Sequence, residues 1–187
     1  MAESASLPFD PVDEARRNWE AHGWAEAAEG MAAVTSVMRA HQLMQARVDG
    51  VLRPMGLTFA RYELLMLLHF TRSGALPVTK ASLRLQVHPT SVTNAVDRLE
   101  TAGLVLRRPH PTDGRSALVE ITATGRELAL EATARLNPEV FEQPGLPRRR
   151  LGTLVRVLAQ LRSAAGDFSA PPGRGQAVPE ALDPTSR

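Results

Sequence analysis

The residues best suited to chemistry concentrate in one stretch, His88 to Arg115. Within HPTSVTNAVDRLETAGL, Val92, Val96 and Leu99 recur at spacings of four and three with Ala95 and Ala102 beside them, which places them along one side of a helix. The other side presents Thr90, Ser91, Thr93, Asn94, Asp97 and Arg98. Hydroxyls at a helix start suit phosphate oxygens, while an amide matches the edge of adenine and a guanidinium that of guanine. Pro89 suits the first helical position, since its missing N–H is one that a helix end leaves unpaired, and the remaining free N–H groups can face a phosphate. An ordinary amphipathic surface helix shows the same division, so the flanks must decide between the two.

Both flanks favour nucleic acid. A short helix over about Thr79 to Leu85 precedes the first by a few residues, which is helix-turn-helix spacing. Gly103 follows as a left-handed stop. Two alternating segments come next, Leu104 to Arg108 and Ser116 to Thr122, joined by the polar turn His110-Pro111-Thr112-Asp113-Gly114-Arg115, a hairpin signal. Arg107 and Arg108 precede the tip and Arg115 closes it, with Asp113 placed to pair with and aim the Arg115 guanidinium. An aimed arginine on a protruding loop suits the narrow minor groove, whose negative potential attracts it. The pattern is a recognition helix with a wing, and the DNA-contacting set is Pro89, Thr90, Ser91, Thr93, Asn94, Arg98, Arg108, Asp113 and Arg115.

The elements that must position this set are mostly helical. Residues 1–10 read as disordered, and Asp10-Pro11 opens a polar helix to about Trp24, ended by the turn around Gly23 and Gly30. Met31, Val34, Met38, Leu43, Met44, Val48, Val51 and Leu52 form the apolar stripe of a long helix stopped by Pro54 and Gly56. Thr58 caps a densely apolar core helix through Phe70. Thr122 caps another that ends near Asn137-Pro138, and a last amphipathic helix uses Leu151, Leu154, Val155, Leu158 and Leu161. The tail, 167–187, is rich in Pro, Gly, Ala and Ser and reads as disordered. The expectation is a mainly α fold with a small β-wing, a single domain over 11–166: a winged helix-turn-helix at 58–122, flanked by a helical region at 11–54 and 123–166 whose apolar stripes suit a core or an interface alike.

Composition narrows the function classes. With 187 residues, 43% of them apolar, the chain has an ordinary globular composition, and it lacks the run of roughly 20 apolar residues that a membrane span needs. Its start, MAESASLPFDP, has neither the basic end nor the apolar core of a secretory signal, so a cytoplasmic protein is expected. The absence of cysteine excludes disulfides, thiolate metal sites and thiol redox sensing. The net charge of +2 is small, but residues 1–30 hold seven acids against Arg16 and Arg17, whereas residues 61–125 hold eight basic residues against five acids. That polarity fits a region that meets phosphate beside one that avoids it. The five histidines, at 22, 41, 69, 88 and 110, never fall at ligand spacing, and no Gly-rich phosphate loop, Gly-x-Ser-x-Gly or catalytic carboxylate pair appears. No enzyme, cofactor or metal is expected.

The stretch LQVHPTSVTNAVDRLETAGLVLRRPHPTDGRSALVEITATGREL resembles the MarR family of bacterial transcriptional regulators. Its elements stand in order: a helix ending Leu-Glu-x-x-Gly-Leu-Val, then Arg-Arg, Asp-x-Arg-Ser, and a strand ending Ile-Thr before Gly-Arg. The resemblance covers roughly Met31 to Leu161. It implies a triangular homodimer whose first long helix and last two helices form the interface, with two winged lobes straddling a pseudo-palindromic operator. It also implies a repressor released from DNA by a small aromatic or anionic effector. The additional acidic helix around Trp19 resembles the urate-responsive branch, and that likeness implies an effector contact set of Trp19, Glu63 and Arg107. Glu63 stands where the branch has an aspartate, and Ala95 replaces its recognition-helix arginine. A ligand-independent architectural DNA-binding protein and a winged-helix protein-interaction module are the alternatives left open.

Overall fold

Backbone chemistry sets the element boundaries. In the computed structural model, which describes residues 6–109 and 117–168, helix α1 (Pro11–Ala21) starts where the Asp10 carboxylate accepts the Val12 N–H at 2.9 Å. It ends before Gly23, whose φ of 85° turns the chain. Helix α2 spans Ala25–Leu52. It therefore runs unbroken through Gly30, which the sequence reading takes as part of a turn; a single helical glycine costs only about 1 kcal/mol against alanine, and 28 residues absorb it.

The chain forms two compact units, Met1–Val48 and Asp49–Arg187, with the boundary inside α2. In the first unit Trp19 and Trp24 meet edge to face, ring centres 5.3 Å apart, and Arg16 joins Asp13, Glu20 and Glu29. The hydrogen bond from Arg16 holds the Asp13 carboxyl below its ordinary range. The predicted stripe of α2 divides: Val48, Val51 and Leu52 are buried, whereas Val34, Met38, Leu43 and Met44 are exposed.

The second unit is built on α3 (Phe59–Phe70), which starts where the Thr58 hydroxyl accepts the Arg61 N–H. Its Tyr62, Leu64, Leu65 and Leu68 are buried. Around it stand β1 (Ala75–Pro77), α4 (Val78–Leu85), α5 (Pro89–Thr101), β2 (Val105–Pro109), β3 (Ala117–Ile121), α6 (Ala123–Leu136) and α7 (Arg148–Ala164). Strands run antiparallel in the order β1-β3-β2, with Leu76 opposite Val119 and Arg107 opposite the same Val119 on the other side. The hairpin is thus a three-stranded sheet; β1 is too short to alternate and went unpredicted.

Helix α6 seats the wing. The Thr122 hydroxyl accepts the Gly125 N–H and donates to the Gly103 carbonyl, both at 2.9 Å, and the Thr122 N–H donates to the Leu104 carbonyl at 3.1 Å. Gly125, Ala129, Ala132 and Leu136 then form the buried side of α6, with the Tyr62 and Thr133 hydroxyls 3.0 Å apart joining it to α3. Beyond α6 a π turn at Asn137–Phe141 leads toward α7. On α7 Ala159 is buried, while Leu154, Val157 and Leu161 are exposed. Asp167 and Phe168, which the sequence reading assigns to a disordered tail, are held against Arg162; residues 169–187 lie outside the described set. No helix among the described residues is long and apolar enough to cross a membrane.

Candidate nucleic-acid interface

Helix α5 is fixed to the core by one side only. Val92, Val96 and Leu99 are buried as the periodicity predicts, and Thr90, Ser91, Thr93, Asn94, Asp97 and Arg98 are exposed together with Pro89. The C-terminus closes with Gly103 at φ 70°: the Leu104 N–H donates to the Leu99 carbonyl and the Gly103 N–H to that of Glu100, each at 2.9 Å. This Schellman arrangement turns the chain sharply into β2.

The N-terminus differs from the sequence reading. There are no free N–H groups in the first turn to face a phosphate: the Thr90 N–H donates to His88 Nδ1 at 3.3 Å, and the Ser91 and Val92 N–H groups both donate to the His88 carbonyl. Histidine caps the helix, and the hydroxyls of Thr90, Ser91 and Thr93 are the exposed polar groups at its start. That of Thr93 donates to the Pro89 carbonyl at 3.0 Å, which leaves its oxygen as an acceptor.

The arginines also divide. Arg98 has no hydrogen bond or ion pair from its guanidinium among the described residues. It borders an open depression of about 410 Å³ together with Asn94, Asp97 and Thr101. Arg107, by contrast, is clamped to α5: its guanidinium pairs with both Asp97 and Glu100, and its backbone N–H donates to Glu100 Oε1 at 3.1 Å. The two carboxylates push the Arg107 pKa further up. Arg108 pairs with Glu120 on the adjacent strand. Three acids on neighbouring elements, Asp97, Glu100 and Glu120, thus hold Arg107 and Arg108. Sequence alone offered one signal for the clamp, Asp97 and Glu100 at a helical spacing of three. Asp113 and Arg115 lie outside the described residues.

The three residues implied as effector contacts lie on different elements. Trp19 is on α1 in the first unit, against Trp24. Glu63 is half-buried on α3, and desolvation raises its carboxyl pKa. Arg107 is on the wing root with its carboxylate partners. Among the described residues no group of three or more His, Asp or Glu is placed to hold a metal ion.

Comparison with known proteins follows this geometry. The MarR family model matches residues 57–117, from just before α3 to the first residue of β3. The crystal structure of Sco5413, a MarR family transcriptional regulator from Streptomyces coelicolor, is 49% identical with a TM-score of 0.69, covering 76% of this chain and 99% of that one. The chain belongs to the MarR family. It is a transcriptional regulator of the winged helix-turn-helix type, as the motif order in its sequence indicates. Among its MarR-like relatives, the HTH-type transcriptional repressor Rv2887 of Mycobacterium tuberculosis is 31% identical over 96 residues, 51% of this chain and 68% of that protein. CouR from Rhodococcus jostii RHA1, solved bound to p-coumaroyl-CoA, is 25% identical with a TM-score of 0.59, covering 72% of this chain and 92% of that one.

Proposed function

We propose that the protein is a homodimeric repressor that sets α5 of each subunit in successive major grooves of a pseudo-palindromic operator and leaves DNA when a small effector binds. The observation that carries this reading is Arg98, unpaired among the described residues, beside Asn94 on the exposed face of a helix whose other face is buried in the core. A side chain with five fixed donors and no acceptor among the described residues is ready for a base edge. Thr90 and Ser91 at the helix start take phosphates, and Arg115 on the wing takes the minor groove. Half-sites of such a dimer fall about 10 bp apart. The second subunit has surface available to it: Leu154, Val157 and Leu161 on α7 and, separately, Val34, Val37 and Met38 on α2 are exposed apolar rows, of the kind that monomeric proteins rarely present to water.

Repression and release are supported by two relatives: Rv2887 is named a repressor, and CouR was solved with an aromatic acyl-CoA bound. For an effector near Arg107, the clamp matters. An anion there competes with Asp97 and Glu100 for the guanidinium, so an aromatic effector with a modest polar group fits better than a compact anion. Binding that opened the clamp would also disturb the wing root, which couples ligand to DNA.

A mobility shift on the DNA upstream of the chain's own gene, with and without a panel of aromatic acids, purines and carboxylates, tests the reading. The expected result is a discrete complex dissolved by at least one aromatic compound. A complex indifferent to every compound supports a ligand-independent architectural protein, and no complex at all supports a protein-contact module. Arg115→Ala weakens the complex with little change in sequence preference if the wing reads groove shape.

A further inference from the structure

The turn of the helix-turn-helix holds an unusual residue. Gln86, which ends α4, has a φ of 53°, a left-handed conformation that L side chains other than Asn and Asp adopt rarely. The turn's own bonds are ordinary: the Ser82 hydroxyl donates to the Val87 carbonyl at 2.7 Å, and the Val87 N–H donates to the Ser82 carbonyl. Glycine would serve such a turn without strain. What glycine lacks is the Gln86 side chain, and that side chain is engaged at both its oxygen and its nitrogen.

Its partners lie at the far end of the sequence. The Gln86 amide oxygen accepts from Arg162 Nη2 at 2.8 Å, and its amide nitrogen donates to the Asp167 carbonyl at 2.6 Å. Arg162 Nε donates in turn to the Asp167 carboxylate at 2.5 Å, and the guanidinium lies 5.3 Å over the Phe168 ring. The result is a closed network in which the Gln86 amide and the Arg162 guanidinium bond each other and, respectively, the backbone carbonyl and the carboxylate of Asp167. Arg162 sits three residues after the buried Ala159, on the same side of α7, whereas Leu154, Val157 and Leu161 occupy the opposite, exposed side.

We propose that Gln86 and Arg162 are positioning residues that lock the recognition helix to α7 and thereby set the half-site spacing the dimer accepts. This rests on the homodimeric DNA-binding reading above. Helix α7 offers its outer side to the second subunit and its inner side, through Arg162, to the residue three positions before Pro89. Any rotation of α7 at the interface is passed through this network to the start of α5. Planar, multiply bonded groups transmit orientation as well as distance, which the apolar contacts of the core do less sharply.

The test uses the full-length chain and duplexes carrying two half-sites selected from random DNA, with the spacing varied by one and two base pairs about the optimum, and a single half-site as reference. Arg162→Ala removes the network while keeping Gln86. Gln86→Gly removes it while keeping the left-handed turn, so that its folding is spared. Both variants are expected to lose roughly 2- to 30-fold in affinity at the optimal spacing, the span over which residues on a coupling path act. They should also flatten the spacing preference and bind the single half-site as the unsubstituted chain does. The double variant should be no worse than the worse single one, because both remove the same network. Unchanged spacing preference in both variants, or equal losses on the single half-site, overturns the proposal. If the unsubstituted chain selects no DNA, the DNA-binding reading fails first and takes this inference with it.

Discussion

Gly125→Ala should destabilise the protein, although glycine to alanine inside a helix ordinarily does the reverse. Alanine gains up to about 1 kcal/mol in helix propensity and unfolded-state entropy. At this position, however, the added Cβ would stand 2.0 Å from the Leu104 carbonyl oxygen and 3.2 Å from the Ile121 side chain. The obstacle is backbone, so α6 or the chain after Gly103 must move by about an ångström or more. That carbonyl accepts the Thr122 N–H at 3.1 Å, and the neighbouring Gly103 carbonyl accepts the Thr122 hydroxyl at 2.9 Å. Overpacking costs about 1–3 kcal/mol and each hydrogen bond lost about 1 kcal/mol net. Against the propensity gain the balance is roughly 2–4 kcal/mol of destabilisation, or a fall in Tm of roughly 5–15 °C for a chain of this size. Thermal unfolding followed by circular dichroism reads this directly. Gly50→Ala on α2, where a Cβ meets nothing within 4 Å, is the control and should be neutral or raise Tm. If Gly125→Ala melts with the unsubstituted protein, the close approach of α6 to the wing root is wrong.

Three further outcomes follow from the site. Arg107→Met frees Asp97 and Glu100 on the DNA-facing helix; affinity measured by fluorescence anisotropy should fall about three- to tenfold, with Asp97→Asn and Glu100→Gln added to the same chain restoring most of it. No change on Arg107→Met would mean that the clamp leaves the interface untouched. Asn94→Ala and Arg98→Ala should each lose about 1–3 kcal/mol of discrimination at particular base pairs, read by competition with single-pair operator variants; equal losses on all sequences would make them phosphate contacts. Burial raises the Glu63 pKa above 4.5, so the folded state holds that proton more tightly than the unfolded chain, and stability falls as pH rises from the unfolded pKa through the folded one. Glu63→Gln should therefore raise Tm at neutral pH, and the gain should vanish below about pH 4; a gain that is the same at both pH values would refute burial as its cause.

Much of helix α5 was legible because it follows local rules. The spacing of Val92, Val96 and Leu99, Pro89 at the first helical position and Gly103 just past the last are signals within one helix, and Thr58 and Thr122 cap the helices expected of them. The misses share a different cause. Strand β1 has three residues and exists because β3 pairs with it. The Arg107 clamp depends on how β2 lies against α5, and the Arg108 pair with Glu120 on strand register. Gln86 and Arg162 are separated by 76 positions, beyond the reach of any periodicity. Gly30 misled in the opposite sense, since a glycine ends a helix only when the backbone also needs a left-handed turn, as it does at Gly23.

The self-contained ends of α5 bear on how such proteins diverge. Every bond that closes the helix comes from the backbone, from the His88 ring or from Gly103, and its anchorage is Val92, Val96 and Leu99. The side chains of Thr90, Ser91, Asn94 and Arg98 contribute to neither. These four positions are free to drift without endangering the scaffold, so a duplicated gene can acquire a new operator through a handful of neutral-to-folding steps. The vocabulary of the reading head is separable from its grammar.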